Sequence, residues 1–87
     1  MNTITLEGHV ARVAELPDCV YITLEHKRYA YDGSATECSY IDIRIPQTLA
    51  DMCKDTITEK TKLHVVGRLV CNVNTCYIAV YNFYIVD

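Results

Sequence analysis

The densest chemical signal in this chain is a run of cations and rings, His26, Lys27, Arg28, Tyr29 and Tyr31, closed by the turn residues Asp32, Gly33 and Ser34. Cations neutralise phosphate and flat aromatic faces stack on bases, which together make a single-stranded nucleic-acid site. Alternation at period two sets Tyr21, Thr23 and Glu25 on one face of a strand, and Tyr40, Asp42 and Arg44 on one face of the next. The candidate binding residues are therefore Tyr21, Lys27, Arg28, Tyr29, Tyr40 and Arg44. Stacking is worth about 1–3 kcal/mol per base, so a few engaged tyrosines outweigh a modest positive charge. A plainer reading stands beside this one. Seven tyrosines in a strand-rich chain partly reflect strand propensity, outward tyrosines serve packing or dimer contacts, and Lys27 to Tyr29 suit a solvated hairpin tip. Tyr77, Tyr81, Phe83 and Tyr84 read as core or subunit interface, and Arg12 and Arg68 as partners in surface ion pairs ahead of phosphate contacts.

Catalytic chemistry has little to stand on. His9, His26 and His64 are scattered over separate segments, and Glu25 with Asp42 is a thin basis for an acid–base pair. No nucleophile elbow, phosphate loop or paired metal-ligand motif is present. The expectation is a non-enzyme with no metal and no cofactor. Five cysteines occur without a C-x-x-C motif. Cys71 and Cys76 flank Asn72 to Thr75, and a two-residue turn at Val73 and Asn74 would set them face to face. Reduced thiols in a cytosol are the expectation, ahead of a disulfide or a metal site.

These side chains need a scaffold. The 87 residues, 51% of them apolar, suit one globular domain, residues 1–87, small enough that a partner subunit would help its stability. No run approaches the ~20 apolar residues of a membrane span, and no basic segment with an apolar core opens the chain, so a cytoplasmic protein is expected. The formal charge of −3 argues against indiscriminate binding of polyanions, while leaving room for a local basic patch.

Alternation predicts strands over 3–15, 19–27, 38–45, 62–72 and 75–86, with apolar spacing at three and four predicting a helix over 46–54. Gly8 and Gly67 fall on the apolar-facing series of the first and fourth strands, beside Ile4, Leu6 and Val10 and beside Leu63, Val65 and Leu69. Glycine inside a strand marks a bend or a close backbone approach, so the two strands should curl and meet to close a barrel. Five strands with one helix between the third and fourth is the arrangement of the OB-fold, an all-β, partly open Greek-key barrel.

The chain resembles the bacterial single-stranded DNA-binding superfamily, and within it the primosomal replication protein N group. The resemblance is carried by Ile4 to Arg12, Thr23 to Lys27, Ile57 to Cys71, the ending Ile78 to Asp87, and a short helical segment at Leu49, Ala50 and Asp51. It implies binding of single-stranded DNA in replication, recombination or conjugation, by a dimer or tetramer of barrels. It puts the family's base-stacking aromatic at Tyr40, and its basic and aromatic residues at the end of strand two at Lys27, Arg28 and Tyr29. The chain departs from the family in having no tryptophan, in a shortened connection over 72–75, and in no acidic tail. These departures favour a minimal or accessory member. The leading reading is a single-stranded DNA-binding accessory protein, a homo-oligomer that works beside a helicase or other replication protein. The alternative is a protein-interaction OB module of a replication or conjugation complex with weak or no DNA binding.

Overall fold

The computed structural model describes residues 2–51 and 57–86. Its elements are β1 (Ile4–Glu15), β2 (Cys19–Tyr29), β3 (Ala35–Pro46), α1 (Gln47–Ala50), β4 (Lys62–Cys71) and β5 (Cys76–Val86). The strands close into a barrel in the order β1-β2-β3-β5-β4, and the five-stranded barrel and the meeting of β1 with β4 are as the sequence pattern predicts. The helix occupies only the start of its predicted span, and the expected continuation over 52–54 lies outside the described residues.

Period-two alternation produces the core directly. Ile22 and Leu24 from β2, Ile43 and Ile45 from β3, and Leu63 and Val65 from β4 are each at most 1% exposed. Val10, Ile78, Val80 and Ala50 complete the cluster, so α1 caps one end of the barrel with its alanine. Phe83 packs against this core.

β1 serves two partners. It pairs with β4 from Ile4↔Gly67 to His9↔Lys62 and with β2 from His9↔Glu25 to Glu15↔Val20. Gly8 lies where the three strands converge, and a Cβ there would sit 2.8 Å from the Glu25 carbonyl oxygen. It makes a close approach; the register shift of β1 falls later, between Val10 and Arg12. Gly67 combines both roles. It stands at the β4–β5 register shift, and a Cβ on it would run into the backbone carbonyl of Ala79.

β3 and β5 meet in parallel through Ile43↔Ile78 and Arg44↔Ala79. The β2–β3 ladder runs on past the last β1–β2 pair to Arg28↔Glu37 and Tyr29↔Ala35, so residues 26–29 form an exposed arm. At its tip Asp32 accepts from the Ser34 amide and hydroxyl, and Gly33 takes φ 87°.

The two glycine environments give a test. Gly67→Ala should lose about 2–4 kcal/mol in urea unfolding, because a backbone carbonyl cannot rotate away. Gly33→Ala, with open space but left-handed φ, should lose only about 1–2 kcal/mol. Equal tolerance at both positions would show that Gly67 is not packed against β5.

Candidate nucleic-acid interface

The β2–β3 register decides which candidates share a face. Tyr21 stands opposite Arg44, Glu25 opposite Tyr40, and Lys27 opposite Cys38. Tyr21, Lys27, Tyr40 and Arg44 therefore line one outer face, in two patches. Four residues of strand, about 13 Å, separate Tyr21 from Glu25.

The arm patch centres on a carboxylate. Glu25 Oε2 accepts from the Tyr40 hydroxyl at 3.2 Å, and Glu25 Oε1 pairs with Lys27 Nζ at 3.3 Å. That pairing holds the Lys27 ammonium above its ordinary pKa. The Tyr40 phenol is also pushed up, first by its contact with Cys38 and then by Glu25. Tyr40 stays protonated and 63% exposed, so its ring face is open to a base.

The barrel patch centres on a cation. Arg44 Nη2 lies 3.4 Å from Asp18 Oδ2 in the β1–β2 turn. The Tyr77 hydroxyl and then the Cys19 thiol raise its pKa further, so the guanidinium is permanently charged. Tyr77 meets Tyr21 edge to face, with ring centroids 6.0 Å apart. Between the patches Thr23 donates to Asp42 at 2.8 Å, so Asp42 and Glu25 are engaged by different partners and form no acid–base pair.

Arg28 is not brought to this face. Successive strand residues point to opposite sides, and Arg28 extends toward Glu37 at 3.9 Å on the other side of the arm. Tyr29 follows a register shift and is 57% exposed near the arm tip.

Two cations expected in ion pairs are not in them. Among the described residues no carboxylate lies within ion-pair distance of Arg12 or Arg68, and both are exposed. Arg12 stands opposite Thr23, beside the face. Arg68 stands opposite Ala79, which stands opposite Arg44. The barrel thus assembles a row of Arg68, Ala79, Arg44 and Tyr21 across four strands, flanked by Tyr77. Alternation in β4 gives the outward aim of Arg68. Its proximity to Arg44 depends on the β3–β5 crossover, which no local pattern signals. Tyr77, Tyr81 and Tyr84 also point outward, the last two 55% exposed, so of the β5 aromatics only Phe83 reaches the core.

No family model matches the sequence, and no curated protein matches it. Solved structures do. A small single-stranded DNA-binding protein from Streptomyces coelicolor superposes with TM-score 0.80 at 17% identity, over 95% of this chain and 89% of that one. A small single-stranded DNA-binding protein from Mycoplasma pneumoniae gives 0.75 at 17% identity, over 97% and 92%. The dimeric N-terminal domain of PriB from Thermoanaerobacter tencongensis gives 0.66 at 17% identity, over 99% and 97%. The barrel is an OB-fold. In the general OB-fold scheme ligands meet strands two and three between the β1–β2 and β4–β5 loops, and here Tyr21 and Arg44 hold that position.

The β4–β5 loop of this OB-fold corrects one expectation. Cys71 and Cys76 form a disulfide, with Cα atoms 4.1 Å apart. They are directly opposed in the ladder. Asn72 fixes the turn between them, accepting from the Asn74 and Thr75 amides at 2.9 Å. Among the described residues Cys19 and Cys38 are free, the first buried and the second exposed. Peptide mapping of unreduced protein should recover Cys71 linked to Cys76. The double variant Cys71→Ser/Cys76→Ser should lose roughly 2 kcal/mol, the entropy of closing so short a loop. Free thiols at both positions in air-equilibrated protein would contradict the bridge.

Proposed function

We propose that this chain, a single OB-fold domain over residues 1–87, binds single-stranded DNA as an accessory protein of replication, recombination or conjugation in the cytoplasm. One observation carries the reading: the row Arg68, Arg44 and Tyr21 with Tyr77, on the face where an OB-fold takes its ligand. It supplies both terms that single-strand binding needs, charge for phosphate and rings for bases. Two of the structures it resembles are named as single-stranded DNA-binding proteins. In this reading Tyr21, Tyr40 and Tyr77 stack, Arg44 and Arg68 meet phosphates in the barrel patch, and Lys27 and Tyr29 extend the site along the arm. Arg28 contributes from the arm's other face.

The chain works as a homo-oligomer. Tyr81, Tyr84 and Ile85 expose apolar surface along β5, and one of the similar structures is described as dimeric. A helicase or another replication protein is the heterologous partner. The second reading is a protein-interaction barrel with little DNA binding. Glu25, Asp42 and Asp18 favour it, since each puts a carboxylate on or beside the face.

Fluorescence anisotropy with labelled oligo-dT of about 30 bases separates the two readings. Salt-sensitive binding is expected at low ionic strength, with Tyr21→Ala and Tyr40→Ala each losing about 1–3 kcal/mol. Arg68→Ala should lower the salt slope by about 0.7, one single-strand phosphate contact. Glu25→Gln should tighten binding by freeing Lys27. A flat titration to about 100 μM protein at low salt would sink the DNA-binding reading, since nonspecific contacts already register in that range.

A further inference from the structure

Two of the chain's three histidines contact Glu7, and the third, His9, lies two residues further along the same strand. His26 Nδ1 donates to the Glu7 carbonyl oxygen at 3.0 Å. His64 Nδ1 pairs with the Glu7 carboxylate at 2.9 Å and its ring stacks on Tyr84, centroids 4.6 Å apart. His9 stands opposite both Lys62 on β4 and Glu25 on β2. The sequence scatters these imidazoles over three strands; the handover of β1 from β4 to β2 brings them together.

His9 and His26 line a groove of about 290 Å³ between β1, the β2 arm and the start of β4, and His64 reaches its edge through Glu7. Its charged lining is balanced. Glu7 and Glu25 oppose Lys27 and Lys62, with Glu7 pairing to Lys62 at 3.8 Å and Glu25 to Lys27 at 3.3 Å. The imidazoles therefore set the sign of the groove. With neutral histidines the whole chain carries −3, and three imidazolium charges cancel that. The groove also continues the proposed DNA face, because Glu25 and Lys27 belong to both. Tyr29 stands at one side of it and the His64–Tyr84 stack just beyond Glu7, so rings are available along the same path.

We propose that this groove takes the phosphodiester backbone of a single strand leaving the β2–β3 face, and that protonation of His9, His26 and His64 switches it from indifferent to attractive. The inference rests on the DNA-binding reading and adds a second, pH-gated segment to the site. Imidazole is the side chain whose charge changes between about pH 5 and pH 8. A phosphate competes for His64 and Lys62 with Glu7, whose carboxyl is already held below its usual range chiefly by His64. The gain thus comes from the added imidazolium charge and not from removal of the carboxylate.

The test is oligo-dT binding at about pH 8 and about pH 5.8, across salt, for the natural chain and for His9→Gln/His26→Gln/His64→Gln. Thymine does not titrate in this range, and the triple variant removes every imidazole. The natural chain should bind roughly tenfold tighter at the lower pH near 0.1 M salt, with a salt slope steeper by about 1.4–2, two to three added contacts. The triple variant should lose most of that ratio. If it does not fold by circular dichroism, His9→Gln alone, at an exposed position, should lose part of the ratio. An equal pH ratio in natural chain and variant overturns the groove while leaving the β2–β3 site standing. Absence of binding at both pH values overturns both.

Discussion

Two residue pairs of parallel ladder, Ile43↔Ile78 and Arg44↔Ala79, close this barrel, and everything functional depends on them. Ile43 and Ile78 face inward and are at most 3% exposed. Their neighbours Arg44 and Ala79 face outward. One seam therefore seals the core and builds the row that joins Arg68 to Arg44. The seam tolerates no slack on its far side. Gly67 lets β4 press onto the Ala79 carbonyl, where any side chain would hold the strands apart. A shift of one residue at the seam would put Ile43 in solvent and Arg44 in the core, so burial fixes the register of the site.

The charges on the face are arranged for exchange. Arg44 is paired with Asp18, Lys27 with Glu25 and Lys62 with Glu7, each pair exposed enough for water to compete. Exposed pairs of this kind contribute little stability. In the proposed DNA-binding reading they hold long side chains in place and release them to a phosphate. Among the described residues Arg12 and Arg68 need no such release. In that reading affinity leans on rings more than on net charge, which suits a chain whose formal charge is −3.

Much of the scaffold was legible in the sequence. Alternation alone identifies Ile22, Leu24, Ile43, Ile45, Leu63 and Val65 as core, and the paired glycines mark strands one and four as the ones that meet. The candidate face was legible only in part. Tyr21, Tyr40, Lys27 and Arg44 follow from strand period, and they do share a face. Arg28 adjoins Lys27 in sequence, and for that reason the pleat sends it the other way. Arg68 and Tyr77 had other readings in the sequence, because the crossover between distant strands that makes them neighbours of Arg44 and Tyr21 leaves no local pattern. The histidines looked scattered because β1 pairs with β4 and β2 in turn. The Cys71–Cys76 bridge was readable as geometry; the prior for reduced thiols outweighed it.

The two patches differ in how firmly they are held. Tyr21, Arg44 and Tyr77 stand on strands with neighbours on both sides and touch one another. Lys27 and Tyr29 stand where β1 has already left β2, on a two-stranded arm exposed over residues 26–29, and Tyr40 stands at its base, opposite Glu25, the last β2 residue paired with β1. A two-stranded ribbon has little independent stability. Ordering such a segment costs free energy on binding, whereas a preorganised patch meets its ligand without that cost. In the proposed reading the barrel patch therefore sets where a DNA strand docks, and the arm sets how far the contact extends. The arm also borders the Glu7 groove, so in that reading its position governs whether a bound strand ends at Tyr40 or turns into the histidines.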